Sequence, residues 1–317
     1  MGVSSYPNGW KNGVVVKGVP LEIPNPGKVF WVNNSEVLPS GGIGGSNTND
    51  GTYLRPFKTI DGAVGKCTGS RGDVIYVMPG HIETVTAAAG LALDVAGITI
   101  VGLGSGTLRA TVNFTTAVGA DMDVDAANIT IVNMLFTGGI DALTGPIDVN
   151  AANFTMLDCE TKDVTGQATD FIVADANADN MLLDGWTHYG AAAAGAESAL
   201  QLDGGDATTV RNFWVDGNFG TAAIENVSTA ATNLTVGGGS NGANYIRTRN
   251  ADDVVFAAVA TTTGNVGPNI YARLADNAAN ITEAFVGADM QFFQPIGIVN
   301  LDGESSLNTN ITASGDA

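Results

Sequence analysis

The chain has 317 residues, with 13 Lys or Arg against 32 Asp or Glu, a formal net charge of −19, a charged fraction of only 14% and 42 glycines. A surface this negative repels phosphate backbones and densely anionic sugars, which argues against a nucleic-acid binder. No apolar run approaches the roughly 18 residues of a membrane-spanning helix. The charge is unevenly spread. Residues 1–71 carry seven basic and four acidic residues, a balance of +3, while 72–317 carry six basic and 28 acidic, a balance of −22. An acidic shaft with a mildly basic head follows. Cys67 and Cys159 fit neither a disulfide framework nor a metal-ligand spacing and read as packed thiols, and the first residues lack the basic-then-apolar pattern of a secretory signal.

Residues 1–28 form an arm. Tyr6 and Trp10 flank a Pro-Asn-Gly turn signal and are followed by an extended apolar run, Val14, Val15, Val16 and Val19. A segment this short cannot bury its own aromatic and valine side chains, so these six residues are expected to dock onto another protein by an aromatic anchor and strand addition.

Residues 29–70 read as a cap. A strand around Phe30, Trp31 and Val32 leads through a loop rich in Asn, Asp and Gly to Arg55, Pro56 and Phe57. Pro56 is expected to open a helix, where its missing donor is no loss, and Ile60, Ala63, Val64 and Cys67 make one apolar stripe along it. Such a helix covers the end of a stack of strands that would otherwise expose unpaired edges.

Residues 71–256 repeat one phrase. Val95 to Val101, Asp125 to Val132, Asn150 to Leu157 and Asp175 to Leu183 each place a small or turn-forming residue before apolar side chains at alternate positions. The aligned Gly97, Asn128, Asn153 and Asp179 are 31, 25 and 26 residues apart, too far for hairpins and too irregular for a helical array. Alternation predicts strands, and Asn, Asp and Gly tolerate the left-handed backbone of a sharp corner. One strand-bearing coil per period, each strand pairing with its copy one turn later, predicts a right-handed parallel β-helix. A strict alignment turns Asn180 and Asn212 inward, so a one-residue slip of register is expected there. Residues 257–317 leave the phrase and are expected to form a C-terminal β cap or oligomerisation region with a polar tail.

Chemistry has few footholds. Asp158, Asp184 and Asp216 each follow an apolar block, so adjacent coils could bring two carboxylates to the roughly 5 Å separation of a retaining glycosidase. Asn133 and Gly102 occupy the same place one and two coils before Asp158, so a corner preference explains the column without catalysis. Asp121, Asp123 and Asp125 mimic a calcium loop, but Ala126 and Val132 stand where glycine and glutamate are needed. Asp203 and Asp206 could share a weakly held cation. His81 and His188 have no ligand partner at short spacing, and neither a cofactor motif nor a nucleophile elbow occurs. The Arg71-Gly72-Asp73 tripeptide lies where the first coil begins and is discounted as an adhesion motif.

The run from Val29 through Arg55, Pro56, Phe57, Lys58, Thr59 and Ile60 to the Gly72 to Gly80 segment resembles the amino-terminal cap and first coil of pectin-lyase-like right-handed β-helix proteins. The opening from Tyr6 to Val14, and the segment Pro26 to Val32, are similar to leaders of tailed-bacteriophage head-decoration and head-fibre proteins. The resemblance implies a non-enzymatic structural protein of the virion, located on the capsid surface, commonly a homotrimer, with the major capsid protein as partner of its arm and no cofactor. A host-surface glycan is a further partner to consider. The alternative is a tailspike or secreted β-helix enzyme cleaving polysaccharide through Asp158, Asp184 and Asp216. The lysine and arginine cluster with which β-helical pectate lyases abstract a proton is missing from this sequence, so the resemblance extends to fold and not to active site.

Overall fold

The computed structural model describes residues 14–16, 19–21, 27–34, 38, 40–163, 168–192, 195–240, 244–249, 254–273, 285–287, 289–293, 296–299 and 305–307. The chain is a parallel β-helix whose coils each lay one strand in each of three walls. The first wall holds ten strands, from Val29–Val32, Val74–Val77 and Thr99–Gly102 to Met290–Phe292. The second wall runs from Ile82–Val85 to Ile296–Val299, and the third from Leu91–Ala92 to Phe285–Val286. All these neighbours pair in parallel, so each inward residue sits over its equivalent one coil away.

The columns are continuous. Phe30, Ile75, Ile100, Ile131, Met156, Leu183, Val210, Val236 and Val266 face one another along the first wall. Leu91, Met122, Ile147, Ile172, Leu200, Ile224 and Phe256 do so along the third. Each such side chain is buried, at about 1.5–3 kcal/mol apiece of transfer free energy. Polar intrusions are satisfied: Asn226, in line with Leu202, donates to the Leu202 and Thr229 carbonyls.

Corners are built from left-handed residues. Gly72, Gly97, Asn128, Asn153, Asn180, Ala207 and Asn233 stand in register before the first-wall strands, and all have positive φ, from 54° to 77°. The expected slip is therefore present: Asn180, not Asp179, occupies the corner. It lies exposed while Met181 takes the inward place of Phe154. Asn212 belongs to the other corner, beyond the first wall, with Asn133 (φ 55°), Asp158 (φ 52°) and Gly185 (φ 74°).

The cap differs in detail from expectation. Val29–Val32 is itself the first rung of the first wall. The helix α1 is Ile60–Val64 and starts at Thr59, whose side chain accepts from the Gly62 amide, rather than at Pro56. Phe57 explains why: its amide donates to the Trp31 carbonyl and its carbonyl accepts from Asn33, which holds residues 56 and 57 extended against the first strand. Ile60, Ala63 and Val64 are buried as expected and Cys67 packs partly against the core. Glu83, turned inward from the second wall, accepts from the Ile60 amide at 2.8 Å, placing a carboxylate at the helix start.

Coiling does not stop near 256. Phe256–Ala258, Gly264–Val266, Ile270–Arg273, Phe285–Val286, Met290–Phe292 and Ile296–Val299 extend the three walls in parallel, and Ser305–Leu307 pairs antiparallel on Ile296–Val299. The repeat is hidden there because Thr263 and then Asp289 take the corner place of Asn233, and Gly264 rather than an apolar residue stands in register with Leu234.

Candidate functional site

The three aspartates proposed as a carboxylate column are not one. Asp158 is a corner residue whose counterpart on the next coil is Gly185. Asp184 is the last residue of a first-wall strand, paired with Leu157 and Arg211, and Asp216 lies on the second wall between Tyr189 and Arg247. Asp184 and Asp216 are engaged separately. Arg211 Nε donates to Asp184 Oδ2 at 2.9 Å, and Asn212 to Oδ1 at 2.5 Å. Equal distance from an apolar block does not mean equal place: Asp158 stands one position beyond the first-wall strand that Asp184 ends, and the block before Asp216 lies in the second wall.

Of the docking residues, Tyr6 and Trp10 lie outside the described residues. Val14–Val16 and Val19–Leu21 form an antiparallel two-stranded sheet, with Val14 opposite Leu21 and Val16 opposite Val19. Among the described residues it shares no strand pairing with the three walls.

The remaining motifs resolve into structure. Asp73 is fully buried. It accepts from the Arg71 guanidinium and from the amides of Thr68 (2.8 Å) and Lys28 (2.6 Å). Burial pushes its carboxyl up, but these donors outweigh it and hold it below the usual range. The tripeptide is thus spent internally. His81 Nδ1 accepts from the Asn34 amide, and Nε2 lies 3.2 Å from Glu83. His188 is buried among Phe171, Trp186 and Phe219, bonded to Thr161, and its imidazole is held down at about 3 by burial. Asp206 accepts from Thr232 and Asn233, and Asp203 from the Thr229 amide. Among the described residues no three His, Cys, Asp or Glu are grouped to hold a metal ion.

The feature that sequence reading missed is the outer face of the second wall. Glu160, Thr187, Trp214, Tyr245 and Tyr271 form one outward column. Lys162, Tyr189, Asp216, Arg247 and Arg273 form the column beside it. Trp214 and Tyr245 stack at 4.1 Å between ring centroids, 24° from parallel. Trp214, Tyr189 and Tyr271 are 44%, 41% and 55% exposed. Asp216 is 4% exposed because two guanidinium groups cover it. Arg247 Nε (2.8 Å) and Arg249 Nε (2.9 Å) both donate to Oδ1, and the Nη2 atoms of both to Oδ2. Burial alone would raise that carboxyl, and the Arg249 and Arg247 hydrogen bonds hold it low instead.

Four of the six basic residues of 72–317, Lys162, Arg247, Arg249 and Arg273, lie on or just past second-wall strands. Arg109 precedes the second-wall strand Thr111–Phe114 and bonds Glu160 at 2.9 Å, while Arg211 ends a first-wall strand and pairs with Asp184. The signal was available in principle, since an outward residue of one coil recurs every 26 to 31 positions (Trp214, Tyr245, Tyr271). It needed the second-wall register, which the first-wall phrase does not supply.

The third wall carries a different cluster. Asp170 and Glu225, 7% and 2% exposed, lie around Ser198, whose hydroxyl donates to Asp170 at 2.7 Å; Gln201 reaches Glu225 at 3.4 Å. Burial, and then the charge of Asp170, push the Glu225 carboxyl up to about 7. Asp163, inside the second wall, is pushed up to about 7 by burial.

No family model matches the chain and no curated protein matches it. Among solved structures it is similar to a rhamnogalacturonan lyase, at 14% identity and a TM-score of 0.35, over 86% of this chain and 73% of that one. At that score the likeness adds nothing to the fold, which the strand pairing defines by itself.

Proposed function

We propose that this is a non-enzymatic structural protein of a tailed-phage particle, seated on the capsid surface by its amino-terminal end, with the β-helix as a stiff projecting body. The observation that carries the reading is the distribution of exposed apolar side chains. Val29, Leu38, Ile43, Tyr53 and Leu54, between 37% and 47% exposed, are gathered within the cap, at the end of the chain that carries the arm and the basic charge balance. Scattered apolar residues on a surface need no explanation, but five of the twelve large ones exposed among the described residues fall within residues 29–54, a density that supports a partner covering this end. The separate hairpin Val14–Val16 and Val19–Leu21 supplies strand edges for addition to that partner.

The major capsid protein is the partner that this reading assigns, and a homotrimer is its expected assembly. Three arms on one assembly raise the effective concentration of each contact, so modest single contacts hold the complex. The test is co-sedimentation of purified protein with phage heads stripped of it. Deletion of residues 1–28 is expected to leave a folded body, by circular dichroism, that no longer pellets with heads. Undiminished pelleting of the deletion variant would overturn the docking assignment.

A further inference from the structure

We propose that the outer face of the first wall is the surface through which copies of this chain assemble, side by side with their long axes aligned. The proposal rests on the expectation of several copies per assembly and is independent of what that assembly is seated on.

The face is built by register. Inward and outward residues alternate on each first-wall strand, so the outward ones stack into two columns. One column begins Val29, Val74, Thr99, Thr130 and Thr155, and the other Trp31, Tyr76, Val101, Val132 and Leu157. All of these side chains are at least partly exposed. Valine and threonine are branched at Cβ and stiff at χ1, so their methyl groups stand at fixed places on every coil. Ordering such rows against a partner costs little side-chain entropy.

Charge separates this wall from the other two. Across its ten strands the outward positions carry one acid and one base, Asp184 and Arg211, which pair at 2.8 Å. The face therefore sums to zero on a chain of net charge −19. Outward positions of the second wall include Glu160, Lys162, Asp216, Arg247 and Arg273, and those of the third include Asp123, Asp148 and Glu225. Two copies of so acidic a body repel once they approach within the Debye length, about 8 Å at physiological salt. They avoid that cost by meeting where neither carries net charge and where little polar surface has to be desolvated.

The shape of the face selects its occupant. Ten strands about 4.8 Å apart make it about 43 Å long, and three or four residues per strand make it about 10–13 Å wide. Its projected area, about 430–560 Å², is more than half of the roughly 800 Å² that each partner gives to a standard interface. Trp31 carries the surface on into the cap, its ring 5.0 Å from both Tyr76 and Tyr53. A partner that covers this strip along its length must be as straight as the solenoid, and its rows must recur at the same interval if side chains are to interdigitate. A second copy of the chain has both properties.

The test is the mass of the purified full chain in solution by light scattering. Wild type is expected at three times the chain mass of 32.3 kDa. Val132→Glu and Thr155→Glu, outward changes that add like charge to the face, are expected to lose assembly and run as monomers with an unchanged circular dichroism spectrum. Tyr271→Glu, at an exposed outward place on the second wall, is expected to assemble as wild type. Thr155→Cys is a milder probe that does not depend on a charged variant folding. Its thiol is expected to react with a bulky maleimide at least about tenfold more slowly than that of Thr187→Cys, outward on the second wall. A monomeric wild type, first-wall variants that stay assembled, or equal labelling of the two thiols would overturn the proposal. A dimer lost in the same variants upholds the face and corrects the expected subunit number. Assembly lost through the first wall alone upholds it even if the protein fails to pellet with phage heads, a result that contradicts only the capsid seat.

Discussion

Asp216 lies directly beside Arg247 on the neighbouring coil of the second wall, and the pair is closed by Arg249 from two residues further on, so that one carboxylate fixes two guanidinium groups. The arrangement is stabilising only as a trio. Asp216→Asn leaves two adjacent cations without their counter-charge, and a loss of about 1–3 kcal/mol is expected in chemical denaturation, less than for a fully buried pair because both arginines are partly exposed. Arg249→Leu is expected to cost less than Asp216→Asn, because Arg247 still neutralises the acid. The reverse order of losses would contradict this account of the trio.

The left-handed corner makes a second prediction. Ala207 occupies the place held by Asn128, Asn153, Asn180 and Asn233 on other coils, at φ 57° and with a Cβ that this conformation penalises. Ala207→Gly is expected to raise stability by about 1 kcal/mol, and Ala207→Asn by a smaller amount, measured as a shift of the urea midpoint at constant slope. Asp158→Asn, in the second corner with Asn133 and Asn212, is expected to change stability by less than about 0.5 kcal/mol.

Gly138 is expected to be intolerant for a different reason. A Cβ there would lie 2.5 Å from Asp163 Oδ1 and 3.3 Å from the Phe171 ring, both buried in the interior. Gly138→Ala should therefore destabilise by about 1–3 kcal/mol through overpacking, read as a lowered melting temperature.

How far the sequence announced this molecule depends on the wall. The first-wall strands and both corners were legible because Asn and Gly at a left-handed position, followed by alternating apolar residues, leave a mark at most coils as far as Asn233. The slip at Asn180 was legible too, since the alternative buried an amide. The second wall was not. Its inward column passes through Glu83, Val112, Phe136, Thr161, His188 and Val215, a mixture with no repeated chemistry. Its outward column then reads as unrelated surface residues until the register aligns them. For the same reason Asp158, Asp184 and Asp216 looked equivalent in the chain and are not so in space. The continued coiling after 256 was hidden because Thr263 and Asp289 replace Asn233 at the corner and the apolar phrase beyond it changed.

Stability is expected to fall as pH rises toward 8. Glu225 and Asp163, both raised to about 7 by burial, hold protons in the folded chain that the unfolded chain has released above about pH 4. Their contribution is full below about pH 4 and is lost as pH passes through 7. His188, held at about 3, acts in the opposite sense, losing stability as pH falls from about 6.5 toward 3. Between about pH 6.5 and 8 the two carboxyls give up their protons in the folded chain, so the melting temperature should drop across that window. Glu225→Gln should flatten the drop, with Asp170, Glu197, Ser198 and Gln201 unchanged around it. A wild-type melting temperature that stayed level or rose from pH 6.5 to 8 would contradict the assignment.

The reading of this chain as a particle coat component is tested most directly by quantitative mass spectrometry of purified virions. The account predicts a copy number that is a fixed, symmetry-set fraction of the major capsid protein, as capsid-seated closed assemblies require. A copy number matching a single tail, or absence from the particle, would contradict it.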